Sequence, residues 1–239
     1  MRPAQLIYLP TLECTVLERV NRFVVRIMID GRESLAHTNN TGRLKGYLER
    51  GVSARCIEKR GGKTRYRLVA VSDPVIRDHR YALIDTWIQM KGLEKSLEQG
   101  LLPVLTGCSV KRRNPRVGES LLDYELSCQD RELYIEIKSA VQRIDHTIAS
   151  YPDAPSLRGR RHLWEIVGLL EKNIYAGVVF IAGIPSVDAF TPNDTIDPVI
   201  RELLKEIRKR GGLIAGISMY YDTVKEAVVL ENNDLAILL

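Results

Sequence analysis

Ser120-Leu121-Leu122-Asp123-Tyr124 and Leu133-Tyr134-Ile135-Glu136-Ile137-Lys138 are two apolar runs, each interrupted by charge, close together near the middle of the chain. Their apolar flanks predict two neighbouring strands buried on at least one face. Side chains alternate along a strand, so Glu136 and Lys138 share one face while Ile135 and Ile137 take the other. A hairpin between the strands brings Asp123 beside Glu136. Paired carboxylates suit a hard divalent cation, Mg²⁺ or Mn²⁺, which takes oxygen ligands. The Ile137 carbonyl is a further oxygen. The Lys138 ammonium can orient a water or balance phosphate charge. Glu94 and Glu98 share a face of the preceding helix by their spacing, and Glu98 is the expected third metal ligand.

A bare Glu-x-Lys is also what a solvated edge strand presents. Here the buried flanks and several basic clusters favour chemistry on phosphate. A proline-stiffened loop, Tyr151-Pro152-Asp153-Ala154-Pro155-Ser156, leads into Leu157-Arg158-Gly159-Arg160-Arg161-His162. Arginines in a helix's first turn oppose its macrodipole, whereas a docked anion gains from backbone N–H groups and guanidinium forks together. Arg158, Arg160 and Arg161 are therefore expected to contact nucleic acid, the bland reading being ion pairs with acids such as Glu165. Arg43 and Lys45, in His37-Thr38-Asn39-Asn40-Thr41-Gly42-Arg43-Leu44-Lys45, join them. That loop reads either as a phosphate-holding run of amides or as a plain turn. Arg60, Lys63, Arg65 and Arg67 surround one turn, and Lys111, Arg112, Arg113 and Arg116 another. Each set is equally a solvated surface run. Aromatic residues make up only 6% of the chain. Phe23, Tyr47 and Tyr66 form no row of stacking platforms, and Phe23 and Trp164 read as core. Affinity for DNA would then be mostly phosphate electrostatics and fall steeply with salt. His162 reads as a core or surface histidine.

The chain has 239 residues, 45% of them hydrophobic, and a formal net charge of +5, which suits an anionic partner. No apolar run is long enough to span a membrane, and the first residues lack a signal-peptide pattern, so a cytoplasmic protein without membrane contact is expected. No nucleotide-binding glycine loop follows any strand. Cys14, Cys56, Cys108 and Cys128 are scattered, which argues against zinc and for small buried side chains. A homo-oligomer is compatible with the sequence.

Residues 1–80 read as strands at Glu13–Val20, Phe23–Ile29, Glu33–His37, Val52–Lys59 and Arg65–Ser72, with one short helix from Gly42 to Glu49. Asp30-Gly31 and Gly61-Gly62 mark turns. Five strands and a small helix predict an OB-type β-barrel, with a β-sandwich fragment as the alternative. The period changes after Asp73-Pro74. Residues 81–239 alternate: helices at Tyr81–Leu97, Leu157–Glu171 and Pro198–Arg210, strands at Leu102–Lys111, Leu121–Leu126, Leu133–Lys138, Gly177–Ile181 and Leu213–Tyr220. This is an α/β sheet covered by helices. Asp197 and Pro198 read as the cap and first position of the last helix, which ends at Gly211-Gly212.

Together these segments resemble the sugar fermentation stimulation protein A (SfsA) family over nearly the whole chain. The clearest parts are Val20-Asn21-Arg22-Phe23, Asn40-Thr41-Gly42-Arg43-Leu44-Lys45, Asp123, Tyr134-Ile135-Glu136-Ile137-Lys138-Ser139, the Tyr151–Leu163 segment, Phe190-Thr191-Pro192-Asn193 and Ile196-Asp197-Pro198. The resemblance implies an N-terminal OB-type barrel, a C-terminal PD-(D/E)xK nuclease-like domain and DNA binding, without a settled reaction. Asp123, Glu136 and Lys138 match that nuclease pattern, Mg²⁺ or Mn²⁺ being the metal. The alternative is a non-catalytic DNA-binding regulator that kept the fold. The chain departs from the family pattern twice: Leu121 stands where an Arg is usual, and Ala182-Gly183-Ile184 where a Gln-Arg pair is usual.

Overall fold

The computed structural model describes residues 2–59, 61–129 and 131–239. After β1 (Ala4–Tyr8), a barrel forms from β2 (Leu12–Asn21), β3 (Val24–Ile29), β4 (Arg32–His37), β5 (Ser53–Glu58) and β6 (Tyr66–Ser72). The strands lie in the order β4-β3-β2-β5-β6, and β4 pairs parallel to β6 at Ala36 and Tyr66, closing the ring. Alternation builds its interior: Val16, Val25, Ile27, Ala54 and Leu68 are fully buried. Asp30 and Gly31 both have positive φ (49° and 72°), as a tight hairpin turn requires. The helix expected from Gly42 to Glu49 is instead a run of turns. Leu44 and Gly46 sit at φ 50° and 84°, which no right-handed helix accommodates.

The barrel does not end in a linker. β6 breaks at Asp73-Pro74 and returns as β7 (Arg80–Leu83), which pairs with both β6 and the central strand β17 (Leu213–Asp222). The barrel and the central sheet are thus one continuous sheet, and a boundary at residue 80 falls inside it. The helical run expected from Tyr81 starts only at α1 (Thr86–Glu98), because the Asp85 side chain caps it, accepting from the Ile88 N–H at 3.1 Å. A short 3₁₀ turn (Pro103–Leu105) and β8 (Cys108–Arg113) replace the strand expected from Leu102.

The rest of the chain contributes β9 (Arg116–Val117), β10 (Ser120–Leu121), β11 (Tyr124–Cys128), β12 (Arg131–Ser139), β13 (Gln142–Asp145), β14 (Ile148–Tyr151), α2 (Leu157–Glu171), β15 (Ala176–Ala182), β16 (Ala189–Pro192), α3 (Pro198–Lys209), β17, β18 (Ala227–Asn232) and β19 (Ala236–Ile237). β12, β15 and β17 run parallel, with α2 and α3 as their crossovers, while β11 and β8 extend the sheet antiparallel. A second sheet, β13-β14-β16-β19, lies beside it, and Phe180 of β15 stacks on Phe190 of β16 with ring centroids 3.8 Å apart.

The two faces of the central sheet differ. Val178 and Phe180 pack with Leu163 and Ile166 of α2 and Ile200 and Leu204 of α3. Ile135, Val179 and Ile181 pack with Ile88 and Leu93 of α1. Asp197, the expected cap of α3, makes no side-chain cap bond; its carboxylate takes Arg160 instead. β1 pairs with β18, so residues 4–8 belong to the central sheet rather than to the barrel.

The four cysteines, expected as separate buried side chains, form two disulfides, Cys14–Cys56 and Cys108–Cys128. Each bridges neighbouring strands, β2 to β5 and β8 to β11, a relation that only the strand order reveals. Such bonds persist in oxidising compartments and in the cytoplasm of hyperthermophiles, so they do not by themselves fix a compartment. Closing the 20-residue interval of the second pair restrains the unfolded chain by about 3 kcal/mol. Thiol titration of the denatured, unreduced protein should therefore return no free thiol, and reductant should lower the urea midpoint. Four titratable thiols before reduction would disprove the pairing. Among the described residues no helix is long and apolar enough to cross a membrane.

Candidate functional site

β11 and β12 pair antiparallel with Tyr124 opposite Ile135, and one more step along that register sets Asp123 opposite Glu136. The Asp123 Oδ2 accepts from the Ile137 N–H at 2.7 Å. Glu136 and Lys138 point to the α2 face, as the alternation requires, and the Lys138 Nζ donates to Glu136 Oε1 at 2.6 Å. His162 meets the same oxygen through Nδ1. Arg158 Nε donates to His162 Nε2 at 3.3 Å. A guanidinium can only donate, so Nε2 is the acceptor, the ring proton sits on Nδ1, and His162 donates to Glu136. Glu136 Oε1 is thereby held by two donors. Its Oε2 is buried with no hydrogen-bond partner among the described residues.

The charges are coupled. Burial and then the Glu136 charge push Asp123 up to about 7, against the pull of the Ile137 N–H, Lys138 and Arg158. Burial works against the Glu136 carboxylate too, but Lys138 and His162 outweigh it and hold Glu136 below the usual glutamate range. Burial disfavours the Lys138 ammonium, yet Glu136 outweighs that and raises it. Asp123 is the group left short of positive charge.

α2 begins beside these groups. Ser156 caps it, accepting from the Gly159 N–H at 2.9 Å. Glycine is needed at 159, where a Cβ would lie 2.5 Å from the Tyr151 hydroxyl. That hydroxyl is close enough to Lys138 to feel its charge. His162 follows Arg158 by one turn, and this i, i+4 relation was the available signal that it belongs to the site rather than to the core alone.

Not every expected residue converges. Glu98 is exposed at the end of α1, paired with Lys95 at 2.6 Å. It lies on the opposite face of the sheet from Glu136, because Ile135 and Ile137 are the residues that face α1. The third-ligand assignment is corrected accordingly. Glu94 lies on that far face too. It is buried, but Arg113, Lys91 and the Tyr124 hydroxyl hold it down to about 2. Among the described residues, no three His, Cys, Asp or Glu side chains converge as a ligand set. The approaching acids are Asp123 and Glu136, with His162 behind Glu136.

Of the arginines, Arg158 reaches the site, Arg161 is exposed, and Arg160 is taken by Asp197 at 2.9 and 3.0 Å. Arg160 is therefore a structural tie to α3, not a free phosphate contact. Arg43 and Lys45 are exposed and line a cavity of about 660 Å³ between the barrel and the second sheet, with Gln142, Arg143 and His146. The amides of their loop are used internally, the Gly42 N–H on Asn40 Oδ1 and the Leu44 N–H on Asp153 Oδ2, so the backbone phosphate cradle is not free. Arg65 pairs with Glu58, Arg67 with Asp85, Lys111 and Arg112 with Glu125, and Arg113 with Glu94. Arg60 lies outside the described residues. Phe23 (49% exposed) and Trp164 (58% exposed), expected in the core, are on the surface.

The departures from the family pattern have physical counterparts. Leu121 is exposed beside Asp123. At Gly183 a Cβ would lie 2.3 Å from the Leu83 carbonyl oxygen and 2.6 Å from Gln89 Nε2, so no side chain fits there.

Comparison with known proteins accounts for both halves. The family described as SfsA N-terminal OB domain matches residues 17–84, and the sugar fermentation stimulation protein RE domain matches residues 88–225. A sugar fermentation stimulation protein homolog of Pyrococcus furiosus is 42% identical over 92% of this chain and 93% of its own length. One from Archaeoglobus fulgidus is 40% identical over 95% of each. A solved structure, that of Pyrococcus furiosus SfsA in complex with Ca²⁺, superposes with a TM-score of 0.92 at 39% identity, covering 99% of this chain and 100% of that one. With an OB barrel in front, an α/β sheet behind and relatives of this similarity along its length, the chain belongs to the sugar fermentation stimulation protein family.

Proposed function

We propose that this protein binds DNA and carries a divalent-metal-dependent phosphodiesterase site of the PD-(D/E)xK type in its α/β half. The observation that carries the reading is that Asp123, just ahead of β11, is bonded to β12 at Ile137 beside Glu136, with a buried Lys138 two residues after Glu136. The residues fit a cation. Glu136 Oε2 is buried without a partner among the described residues, and Asp123 is pushed up to about 7 by burial and by the Glu136 charge. Asp123 and Glu136 would hold Mg²⁺ or Mn²⁺, and the Ca²⁺ in the Pyrococcus furiosus relative supports a hard-cation site in this fold. Such an ion supplies Lewis acidity toward a phosphoryl oxygen. His162 keeps Glu136 ionised and oriented. Lys138 holds a donor against the site, ready to position water or steady the phosphate. Arg158, Arg161, Arg43 and Lys45 supply positive charge for the backbone.

One observation favours a rival, a DNA-binding regulator without catalysis. Lys138 and His162 both occupy the same oxygen of Glu136, which is also how a purely structural ion pair would look. Incubation with linear, nicked and branched DNA in Mn²⁺ separates the two. The nuclease reading expects cleavage that Asp123→Ala abolishes, with binding retained. Binding without cleavage, indifferent to Asp123→Ala, establishes the regulator.

A further inference from the structure

The hairpin joining β2 and β3 has only Arg22 and Phe23 between its paired ends, Asn21 and Val24. Two-residue hairpin turns favour Gly, Asn and Asp, which accept the strained backbone and leave little bulk. This one presents an arginine and a phenylalanine, both exposed, with Val20 exposed beside them. An exposed Phe alone means little. Three further observations set this one apart.

The tip is held rigid. The Arg19 guanidinium donates to the backbone carbonyls of Asn21 and Arg22 in the hairpin (3.3 and 3.0 Å) and of Asn40 and Arg43 in the facing loop (3.3 and 3.0 Å). The Phe23 N–H is satisfied by Asn21 Oδ1 at 2.9 Å, and its carbonyl accepts from the Thr38 N–H at 2.9 Å. The backbone that carries the ring is therefore ordered before any ligand arrives. The Arg22 guanidinium lies 5.9 Å from the Phe23 ring centroid, so a cation accompanies the aromatic face. The tip also adjoins the surroundings of the candidate site: Arg22 lines a cavity of about 200 Å³ together with Asn40, Thr86, Ser139 and Tyr151, and the Tyr151 hydroxyl is close enough to Lys138 to feel its charge. Ser139 directly follows Lys138.

We infer that the Arg22-Phe23 tip is a nucleobase-stacking platform for an unpaired base of the DNA strand entering the site. This rests on the DNA-binding reading above and names the form of DNA the site takes: single-stranded or locally opened. A ring projecting from a hairpin can offer its face only to a base that has left its own stack. Arg22 neutralises the adjoining phosphate while Phe23 takes the base. Tyr47 and Tyr66, two other aromatics of this half of the chain, are buried and leave this role to Phe23.

The test is equilibrium binding by fluorescence anisotropy, in chelator, of labelled oligothymidylate, of the same sugar–phosphate backbone without bases, and of a duplex. The native protein should bind oligothymidylate about tenfold more tightly than the baseless strand. Phe23→Ala should bind both equally, at the baseless level, and Phe23→Trp should keep the preference. Duplex affinity should be unchanged in both variants. Equal binding of the two single strands by the native protein, or Phe23→Ala matching it on oligothymidylate, overturns the platform and leaves DNA binding standing. No binding to any of the three overturns both.

Discussion

Asp73→Ala should lower the free energy of unfolding by about 3–5 kcal/mol, the cost of leaving a buried charge without its partner. The Asp73 side chain is fully buried where β6 breaks, and it pairs with Arg143 of β13 at 3.0 Å. It also accepts from the N–H groups of Val75 and Ile76, each at 2.9 Å, and from the Tyr47 hydroxyl at 3.3 Å. One carboxylate thus joins the barrel, the β6–β7 turn and the second sheet. Arg143 is itself spent on this junction, donating to the Pro185 carbonyl at 2.7 Å. Truncating Asp73 strands that guanidinium in a site where, among the described residues, no other acid is bonded to it. The double variant Asp73→Ala/Arg143→Met should be less destabilised than Asp73→Ala alone, because the unpaired charge is gone. Urea unfolding of the four proteins measures this. An Asp73→Ala protein within about 1 kcal/mol of the native one would show that the pair is not what holds the junction.

Asp123→Asn should stabilise the protein at neutral pH and above, by an amount on the order of 2–4 kcal/mol. Burial and Glu136 raise Asp123 from 3.8 to about 7 in the folded state. A carboxyl raised on folding contributes stability that is fully present below its unfolded value. That contribution is lost as pH climbs from about 4 to about 7 and stays lost above. Asparagine removes the ionisation yet keeps an oxygen for the Ile137 N–H. The difference in stability between variant and native protein should therefore be near zero at about pH 4, grow through pH 5 and 6, and level off beyond 7. Working in chelator keeps cations out of the comparison. A difference that does not change with pH would mean that Asp123 is not strained by its neighbours. A group that is costly to ionise in the absence of a cation is what a binding site, as opposed to a stability device, looks like.

How much of this could be read from the residues follows from the range of each interaction. The Asp123–Glu136–Lys138 constellation was legible because strand alternation and a short hairpin are local rules. The barrel strands were legible for the same reason, to within a residue or two. Glu98 was misplaced because a helix's own periodicity says which residues share a face, not which side of a sheet the helix crosses. Ile135 and Ile137 carried that information, since the apolar side of β12 had to meet α1. The cysteine pairs were hidden because Cys14 and Cys56 become neighbours only through the β2–β5 register. Asp197 read correctly as a cap by position but was claimed by Arg160, a contact between helices far apart in sequence. Phe23 and Trp164 read as core on hydrophobicity, a one-way rule that large exposed aromatics break wherever a surface serves contact.

The pairing of β1 with β18 has a consequence for biosynthesis. Ala4 bonds alongside Leu230, so a strand waits for a partner synthesised much later in the chain. At roughly 5–20 residues per second that delay is tens of seconds. Throughout it Leu6, buried in the finished molecule, and the open backbone edge of its strand have no native cover. Nascent chains of this protein should therefore engage chaperones through residues 4–8 until β18 has been made.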